Sequence, residues 1–427
     1  MRHGLALALL SGTMVWVAPG TIGAQTTFRA TAAVSAGASD NPLSAPEGSA
    51  AARSDAFFLT QAGFIATTSW ARGHQALSYG LTSSLYAVNT QGNAIANRLA
   101  WNGAALLSTD ARLELEAGLV HERLSSTDPR SATLDPTPGA RPSGPAQYVR
   151  AFAREGLTWD VTPRWRVSQA LGADGFVPLE DRPGLQRGAA ATTTLGLSRQ
   201  WARDSAGVQA QAGYTWSQDV GATPGQPPAA SSSGKSLFAQ LTALWRRALN
   251  VFWSSEVGAG VLVVLPRGGG DAAFGPAGRA ALAYTRAGLQ AGLEYSHTAQ
   301  PNVFLGDSLV VDAIALRASH AFGPWERFVL SASGGFQRGR TVTAMMPASV
   351  DVWYAVAAAS VRPSPTGPLE LSLQYQYRDQ RGDQSATPGS TTASFRRNMV
   401  ILTLSASLPN RDGPPPPTAT PAATPAR

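Results

Sequence analysis

Along most of the chain, apolar and polar residues alternate with a period of two. Residues 369–377 (LELSLQYQY) place leucine and tyrosine at every odd position, and Glu370, Ser372, Gln374 and Gln376 at the even ones. Successive side chains of a β-strand point to opposite faces, so one face of this segment is apolar and the other polar. The same alternation recurs from Phe28 to Leu408 in segments of about a dozen residues, which predicts an all-β, antiparallel, up-and-down transmembrane barrel with lipid outside and water inside.

The alternating segments predict about eighteen strands, with sixteen as the alternative. The predicted strands begin near Phe28, Phe57, Ala76, Ile95, Arg112, Tyr148, Trp165, Ala189, Val208, Leu237, Val251, Arg279, Leu289, Leu309, Phe328, Val350, Leu369 and Phe395.

The breaks between strands are alternately long and short. Thr109 and Asp110 alone separate strands four and five, whereas residues 125–145, 178–187, 220–235 and 380–393 form longer breaks rich in Pro, Gly and Ser. Bacterial barrels have short periplasmic turns, long outer loops and an even strand number. Short turns follow the even strands here, which predicts that both termini are periplasmic.

Tryptophan residues support this sidedness because they lie at or close to the short turns. The residues concerned are Trp70, Trp159, Trp165, Trp201, Trp245, Trp253 and Trp325. An indole ring prefers the membrane interface, so one end of the strands is predicted to carry an aromatic girdle. The alternative fold with the same strand content is a β-sandwich or a propeller. Neither explains why the tryptophans lie close to the short turns.

The two ends of the chain differ from the barrel pattern. Residues 1–24 have a basic start, an interrupted apolar stretch and a small residue, Ala24, before the predicted cleavage site, which is typical of a signal peptide. Residues 25–409 form the predicted barrel. Residues 410–427 contain four consecutive prolines and predict an extended periplasmic tail, either a passive end or a tether for a partner.

Composition narrows the choice of partners. Charged residues make up 14% of the chain, and Lys235 is the only lysine, so the net charge of +7 is nearly all arginine. These arginines are scattered without a cluster or a recognition motif, which argues against nucleic-acid binding. The chain has no cysteine, so it can form neither a disulfide nor a lipid anchor on cysteine.

Charged residues are expected to face the lumen, because charge in hydrocarbon is unfavourable. Arg29 is one such residue. The predicted pore-lining residues are Arg98, Glu114, Glu116, Arg150, Arg154, Arg166, Glu256, Arg279, Glu294, Arg317, Glu370, Arg378 and Arg397. They are either paired charges that keep the wall polar, or an arginine-rich path for polar or anionic solutes.

Two features break the alternating pattern, and one long loop has two interpretations. Glu155 and Arg199 fall on the lipid face, which requires either a bulge in the strand or a position near the membrane interface. Residues 310–321 are almost continuously apolar, so their facing is ambiguous. Residues 125–145 are either a loop that narrows the pore or an outer loop.

No catalytic constellation is present. The five histidines have no metal-ligand spacing, and the chain contains neither a GxSxG elbow nor a phosphate-binding loop. His297 and His320 flank the same stretch of sequence without a recognisable nucleophile. We therefore expect no enzymatic activity, no metal and no cofactor.

The two ends of the predicted barrel resemble the outer-membrane β-barrel porin families of Gram-negative bacteria. The resemblance is carried by residues 38–42 (ASDNP) in the opening hairpin and by residues 373–379 (LQYQYRD) and 395–402 (FRRNMVIL) in the closing hairpin. This group includes eighteen-stranded barrels that export exopolysaccharide together with a periplasmic polysaccharide-export protein. The resemblance implies a location in the outer membrane, in contact with its lipid, and it assigns no functional residue.

Two functions therefore remain open. The first expectation is the outer-membrane conduit for a surface polysaccharide, and the alternative is a stand-alone diffusion porin for small polar solutes. A structural or adhesive barrel is less favoured, because the loops are mostly small and low in complexity.

Overall fold

Eighteen antiparallel strands form one sheet, and pairing of the first strand with the last closes this sheet into a barrel. The computed structural model describes residues 24–45, 47, 52–123, 147–179, 185–220, 234–265, 271–302, 307–322, 327–341, 349–364, 367–382 and 394–409. The strand number and the closed antiparallel fold predicted from the sequence are confirmed. The predicted signal peptide, the proline-rich tail and the loop at 125–145 lie outside the described residues.

Each strand pairs with its neighbours in sequence. The strands are β1 (Gln25–Ser39), β2 (Asp55–Trp70), β3 (Gly73–Tyr86), β4 (Ala94–Leu106), β5 (Ala111–Arg123), β6 (Gln147–Thr162), β7 (Trp165–Pro178), β8 (Leu185–Gln200), β9 (Asp204–Val220), β10 (Gly234–Ala248), β11 (Trp253–Leu265), β12 (Ala273–Arg286), β13 (Leu289–Asn302), β14 (Asp307–Phe322), β15 (Phe328–Thr341), β16 (Ser349–Val361), β17 (Leu369–Gly382) and β18 (Phe395–Leu408). A short 3-10 helix, Thr90–Gly92, precedes β4. No helix among the described residues is long and apolar enough to cross a membrane.

The barrel has two different ends. We call the end with the start of β1, the end of β18 and the connections β2–β3, β4–β5 and so on the short-turn end, and the other the long-loop end. The strands contain 13–17 residues, more than the ~9–11 that a tilted strand needs to cross a bilayer. Parts of the strands therefore extend beyond the membrane.

Exposed apolar side chains identify the outward face of each strand. In β17, Leu369, Leu371, Leu373 and Tyr375 are all 40–51% exposed, while the next residue, Gln376, is buried. The tryptophans predicted to lie close to the short turns are found at the short-turn end, except Trp325, which is outside the described residues. The outward face thus carries an aromatic girdle at the short-turn end.

A row of charged side chains marks the other edge of the apolar belt. Cross-strand partners His297, Asp312, Arg338, Asp351 and Arg381 run across β13–β17 on the outward face, with charges that alternate in sign if the histidine is protonated. His297 Nδ1 lies 2.6 Å from Asp312 Oδ1, and Arg338 Nε donates to Asp351 Oδ1 at 2.8 Å. Charges are tolerated near the interface, so this row and the tryptophan girdle delimit the membrane-facing belt.

One strand begins well before its predicted position. The sequence predicts that strand twelve starts near Arg279, but β12 starts at Ala273. Gly275, Pro276 and Gly278 make the first residues read as a loop. In the barrel, residues 273–277 pair with β11 only, as an edge, and proline is tolerated on an edge because no partner needs its missing N–H.

The structure also resolves the exceptions in the pattern. Arg199 is outward but lies at the short-turn end of β8, stacked over the rings of Trp165 and Trp201, so an interfacial position explains it. Glu155 is outward in the middle of β6, between Leu115 and Leu171. The register shift of β6 lies between Asp160 and Thr162, so no bulge turns Glu155 inward.

Candidate functional site: the barrel lumen

The register places all the predicted pore-lining residues on the inner face, opposite the exposed apolar side chains. Arg98, Arg150, Arg378 and Arg397 lie toward the long-loop end of their strands, and the remainder lie in the middle or toward the short-turn end. Whether these side chains line a water-filled path stays a prediction.

A buried carboxylate on this wall is flanked by two guanidinium groups. Glu256 of β11 lies between Arg246 of β10 and Arg279 of β12, and its side chain is only 10% exposed. Arg279 Nε is 2.6 Å from Glu256 Oε1, and Arg246 pairs with the other carboxylate oxygen. A buried carboxylate is unfavourable unless it is paired, so these three residues hold three adjacent strands in one arrangement.

The other acidic residues on the inner wall of the short-turn half are also in ion pairs. The pairs are Arg112–Glu114 (2.8 Å), Arg154–Glu116 (3.5 Å), Arg166–Asp160 (2.7 Å), Arg317–Glu294 (3.2 Å) and Arg362–Glu370 (3.0 Å). These side chains are partly exposed to the lumen, so each pair contributes only about 0–1 kcal/mol to stability. Their effect is to neutralise the carboxylates of the wall.

Two inward arginines have no acidic partner among the described residues. Arg98 in β4 faces Gly80 and Val120 on the neighbouring strands, and Arg29 in β1 faces Ile65. At Gly80, an added Cβ would meet no atom within 4 Å, so the wall beside Arg98 is open. Because the acidic residues of the short-turn half are paired with arginine, Arg29 and Arg98 add uncompensated positive charge to the described wall.

The long-loop half of the lumen is packed with apolar side chains, which the sequence analysis did not predict. Phe57, Leu59, Tyr86, Met399 and Ile401 form one buried cluster on the inner face. The sequence signal is present but easily missed: residues 57–59 (FFL) and 399–402 (MVIL) are apolar on both faces instead of alternating.

The connection after β1 folds over this cluster. Asn41 accepts a hydrogen bond from the Ala45 N–H at 2.9 Å and donates to the Ala45 carbonyl at 2.8 Å, which holds the segment in a tight turn. Leu43 is completely buried, and Arg397 donates to Ser44 at 3.3 Å. Residues 40–45 therefore narrow the long-loop half from one side.

The ends of β13 and β14 narrow it from the other side. Pairing between β12 and β13 stops at Gly278 and His297, although β13 continues to Asn302. Beyond this point β13 and β14 approach β9 and β10, which are not their neighbours in the barrel, to within 8 Å between Cα atoms. Ser308 and Leu309 are both buried although they point in opposite directions. Farther along β14, Ile314 and Leu316 are exposed, which assigns the outward face that was ambiguous for residues 310–321.

The described part of the chain contains no group of three or more acidic or histidine side chains that could hold a metal ion. His297 lies in the charged row near the long-loop end, whereas His320 lies beside Phe322 at the short-turn end. The two histidines that flank one stretch of sequence are thus far apart in the fold. The expectation that the protein is not an enzyme stays a prediction.

Comparison with known proteins gives likeness only at the level of the fold. No protein-family model and no characterised protein sequence matches the chain. Among solved structures, it is similar to OccK9 (OpdG) of Pseudomonas aeruginosa, at 13% identity and a TM-score of 0.44, covering 90% of this chain and 99% of that one. It is similar to the siderophore receptor PiuA of Acinetobacter baumannii at 8% identity and a TM-score of 0.46, covering 91% and 82%.

A third solved structure is described as a bacterial polysaccharide outer membrane secretin. It is 11% identical, with a TM-score of 0.36, over 88% of this chain and 97% of that one. None of these three similarities carries an argument about what this chain transports. The architecture itself supports a conclusion. The chain forms a closed barrel of eighteen antiparallel strands, whose outer belt is apolar and whose inner wall is polar in the short-turn half. This is a channel-type β-barrel of the outer membrane.

Proposed function

We propose that this protein is a stand-alone diffusion channel for small polar solutes, with a preference for anions. The observation that carries the proposal is the charge of the inner wall. Every inward carboxylate of the short-turn half is paired with arginine, whereas Arg29 and Arg98 are not paired among the described residues. Fixed positive charge on a pore wall favours anions over cations.

The long-loop half favours a small solute over a polymer. Its inward apolar side chains are buried against one another, and Ser236 of β10 lies 2.8 Å from Ser308 of β14, four strands away in the barrel order. A polysaccharide chain would have to separate these contacts throughout its passage. Export of a surface polysaccharide with a periplasmic partner, the first expectation from the sequence, has no specific support in these contacts.

The selectivity of the purified protein in planar lipid bilayers tests the proposal. Under a salt gradient, the reversal potential of the wild-type channel should have the sign of an anion-preferring pore. Replacing Arg29 and Arg98 together with Gln should move this potential toward zero, because the remaining wall charges are paired. The control is Arg340→Gln, which removes the same charge from the outward face and should leave the potential unchanged.

A gene deletion separates the two functions in cells. A diffusion channel predicts slower entry of small anionic solutes and unchanged surface polysaccharide. Loss of one surface polysaccharide with normal solute entry would contradict the proposal and restore the export hypothesis.

A further inference from the structure

We infer that the ends of β13 and β14, residues 298–302 and 307–311, form a movable strap that closes the long-loop half of the lumen. This inference rests on the proposed channel function. The strap has left the barrel wall on one side, since β13 pairs with β12 only as far as His297. The facing edge of β12, residues 273–277, pairs with β11 alone.

Both edges of this gap carry a proline. Pro276 lies in the free part of β12, and Pro301 lies in the strap part of β13. Proline has no backbone N–H to donate to a neighbouring strand, and it is found in sheets mainly on edges. The two prolines therefore disfavour pairing of β12 with β13 across the gap. The strap is thus free to leave its own place in the barrel wall beside β12.

Polar contacts fasten the strap to the wall at β10. Ser308 Oγ lies 2.8 Å from Ser236 Oγ, and both residues are almost completely buried. The Ala299 N–H donates to Gln240 Oε1 at 3.3 Å, and Gln240 Nε2 in turn donates to Gln211 on the next strand at 2.8 Å. Each such hydrogen bond contributes about 1 kcal/mol net, so thermal motion can break them.

The apolar cluster that the strap shares with the wall at β10–β12 is small on the strap's side. Phe238, Leu262, Val264 and Ala277 belong to the wall, and the strap adds Ala299, with Val310 packed against the cluster. Alanine and valine lose little apolar contact when they separate from the wall, compared with an aromatic ring. Meanwhile β14 stays paired with β15 as far as Leu309 and Thr341, so this edge anchors the strap when the other edge moves.

The strap lies where it can control passage through the lumen. It spans from β13 and β14 to β9 and β10, over an inner wall whose short-turn half carries the charged residues. A solute that enters from the long-loop end must displace the strap or pass beside it. Opening the strap would uncover Phe238 and the serine pair and widen this half of the lumen.

The chain has no cysteine, so an introduced pair of cysteines has no other thiol to react with. A disulfide between the two can therefore test the strap. Ser236→Cys with Ser308→Cys should form a disulfide on oxidation that holds the strap closed. The control pair is Ser35→Cys with Thr403→Cys, two hydroxyls also 2.8 Å apart but on the adjacent wall strands β1 and β18.

In planar bilayers, the oxidised strap pair should conduct severalfold less than the same protein after reduction, whereas the wall pair should conduct equally in both states. Failure of the strap pair to cross-link would overturn the inference, and so would a fully cross-linked channel with unchanged conductance. Absence of conductance in the reduced protein would instead refute the channel function.

A second readout decides the strap independently of conduction. Ser308 is completely buried when the strap is closed. In the single variant Ser308→Cys, a water-soluble maleimide should therefore label the thiol slowly but to completion, as the strap opens. A thiol that stays unlabelled in the folded barrel would show that the strap does not move.

Discussion

Glu155 is a carboxylate on the lipid-facing side of the barrel, and its removal should stabilise the protein. Trp159, in the aromatic girdle, is four residues farther along β6. Strand residues rise about 3.3 Å each, and a strand tilt near 40° reduces this to about 2.5 Å along the membrane normal. Glu155 therefore lies about 10 Å from the girdle, near the middle of an apolar belt about 25 Å tall.

The expected gain follows from this depth. Arginine or lysine at the midplane of a barrel's lipid face costs about 2–4 kcal/mol, and a carboxylate costs less. The cross-strand neighbours Leu115 and Leu171 offer no donor to the carboxylate. We expect Glu155→Leu to raise the free energy of unfolding by about 1–2 kcal/mol, with Glu155→Gln in between.

Reversible urea unfolding in lipid vesicles, followed by tryptophan fluorescence, measures this difference. The matched control is Glu116→Leu on the neighbouring strand β5, where the carboxylate faces inward and lies 3.5 Å from Arg154. This control should gain no stability, because it removes a lumen-facing group and leaves Arg154 without its partner. If Glu155→Leu is as stable as the wild type or less stable, Glu155 does not face hydrocarbon and the assigned register of the belt is wrong.

Two further predictions concern the facing of side chains and the sidedness of the barrel. Leu373→Arg should impair assembly in membranes, because Leu373 is 51% exposed on the outward face of β17 and a midplane arginine costs about 2–4 kcal/mol. Gln374→Arg should assemble normally because its side chain faces inward; equal damage in both variants, seen as loss of the folded band on gels, would contradict the register. A cysteine replacing Ser131 should react with an impermeant maleimide on whole cells, and one replacing Thr366 should not. Labelling of the Thr366 variant in intact cells would reverse the predicted topology.

Sequence reasoning located the strands well because membrane strands obey a local rule. Each residue of β17 faces lipid or lumen according to its position alone, so the alternation of leucine and glutamine predicts its facing without knowledge of other strands. The rule fails where a strand leaves the membrane belt. Residues 273–277 of β12 read as a loop for that reason, since Gly275 and Pro276 suit a strand edge that pairs on one side only.

The sequence predicted charged residues on the inner wall, but not their ion-pair partners or the buried apolar side chains. Charged residues were assigned to it because hydrocarbon excludes them, and the register places them there. Their partners were not predictable: Glu256 meets Arg246 through pairing of β10 with β11, and Arg279 through pairing of β11 with β12. Buried Phe57 and Leu59 were also missed. The sequence analysis expected polar side chains on a wet inner face, whereas the packed part of the lumen holds apolar ones.

The sequence by itself determined the barrel, a number of about eighteen strands, and the strand end that carries the tryptophans. These features depend on how one strand meets lipid and water, which is a property of a few consecutive residues. Only the tertiary structure decided which charges are neutralised and where the lumen narrows. The contact between Ser236 and Ser308 joins strands that are four apart in the barrel order, and no local pattern encodes the distance between strands that do not pair.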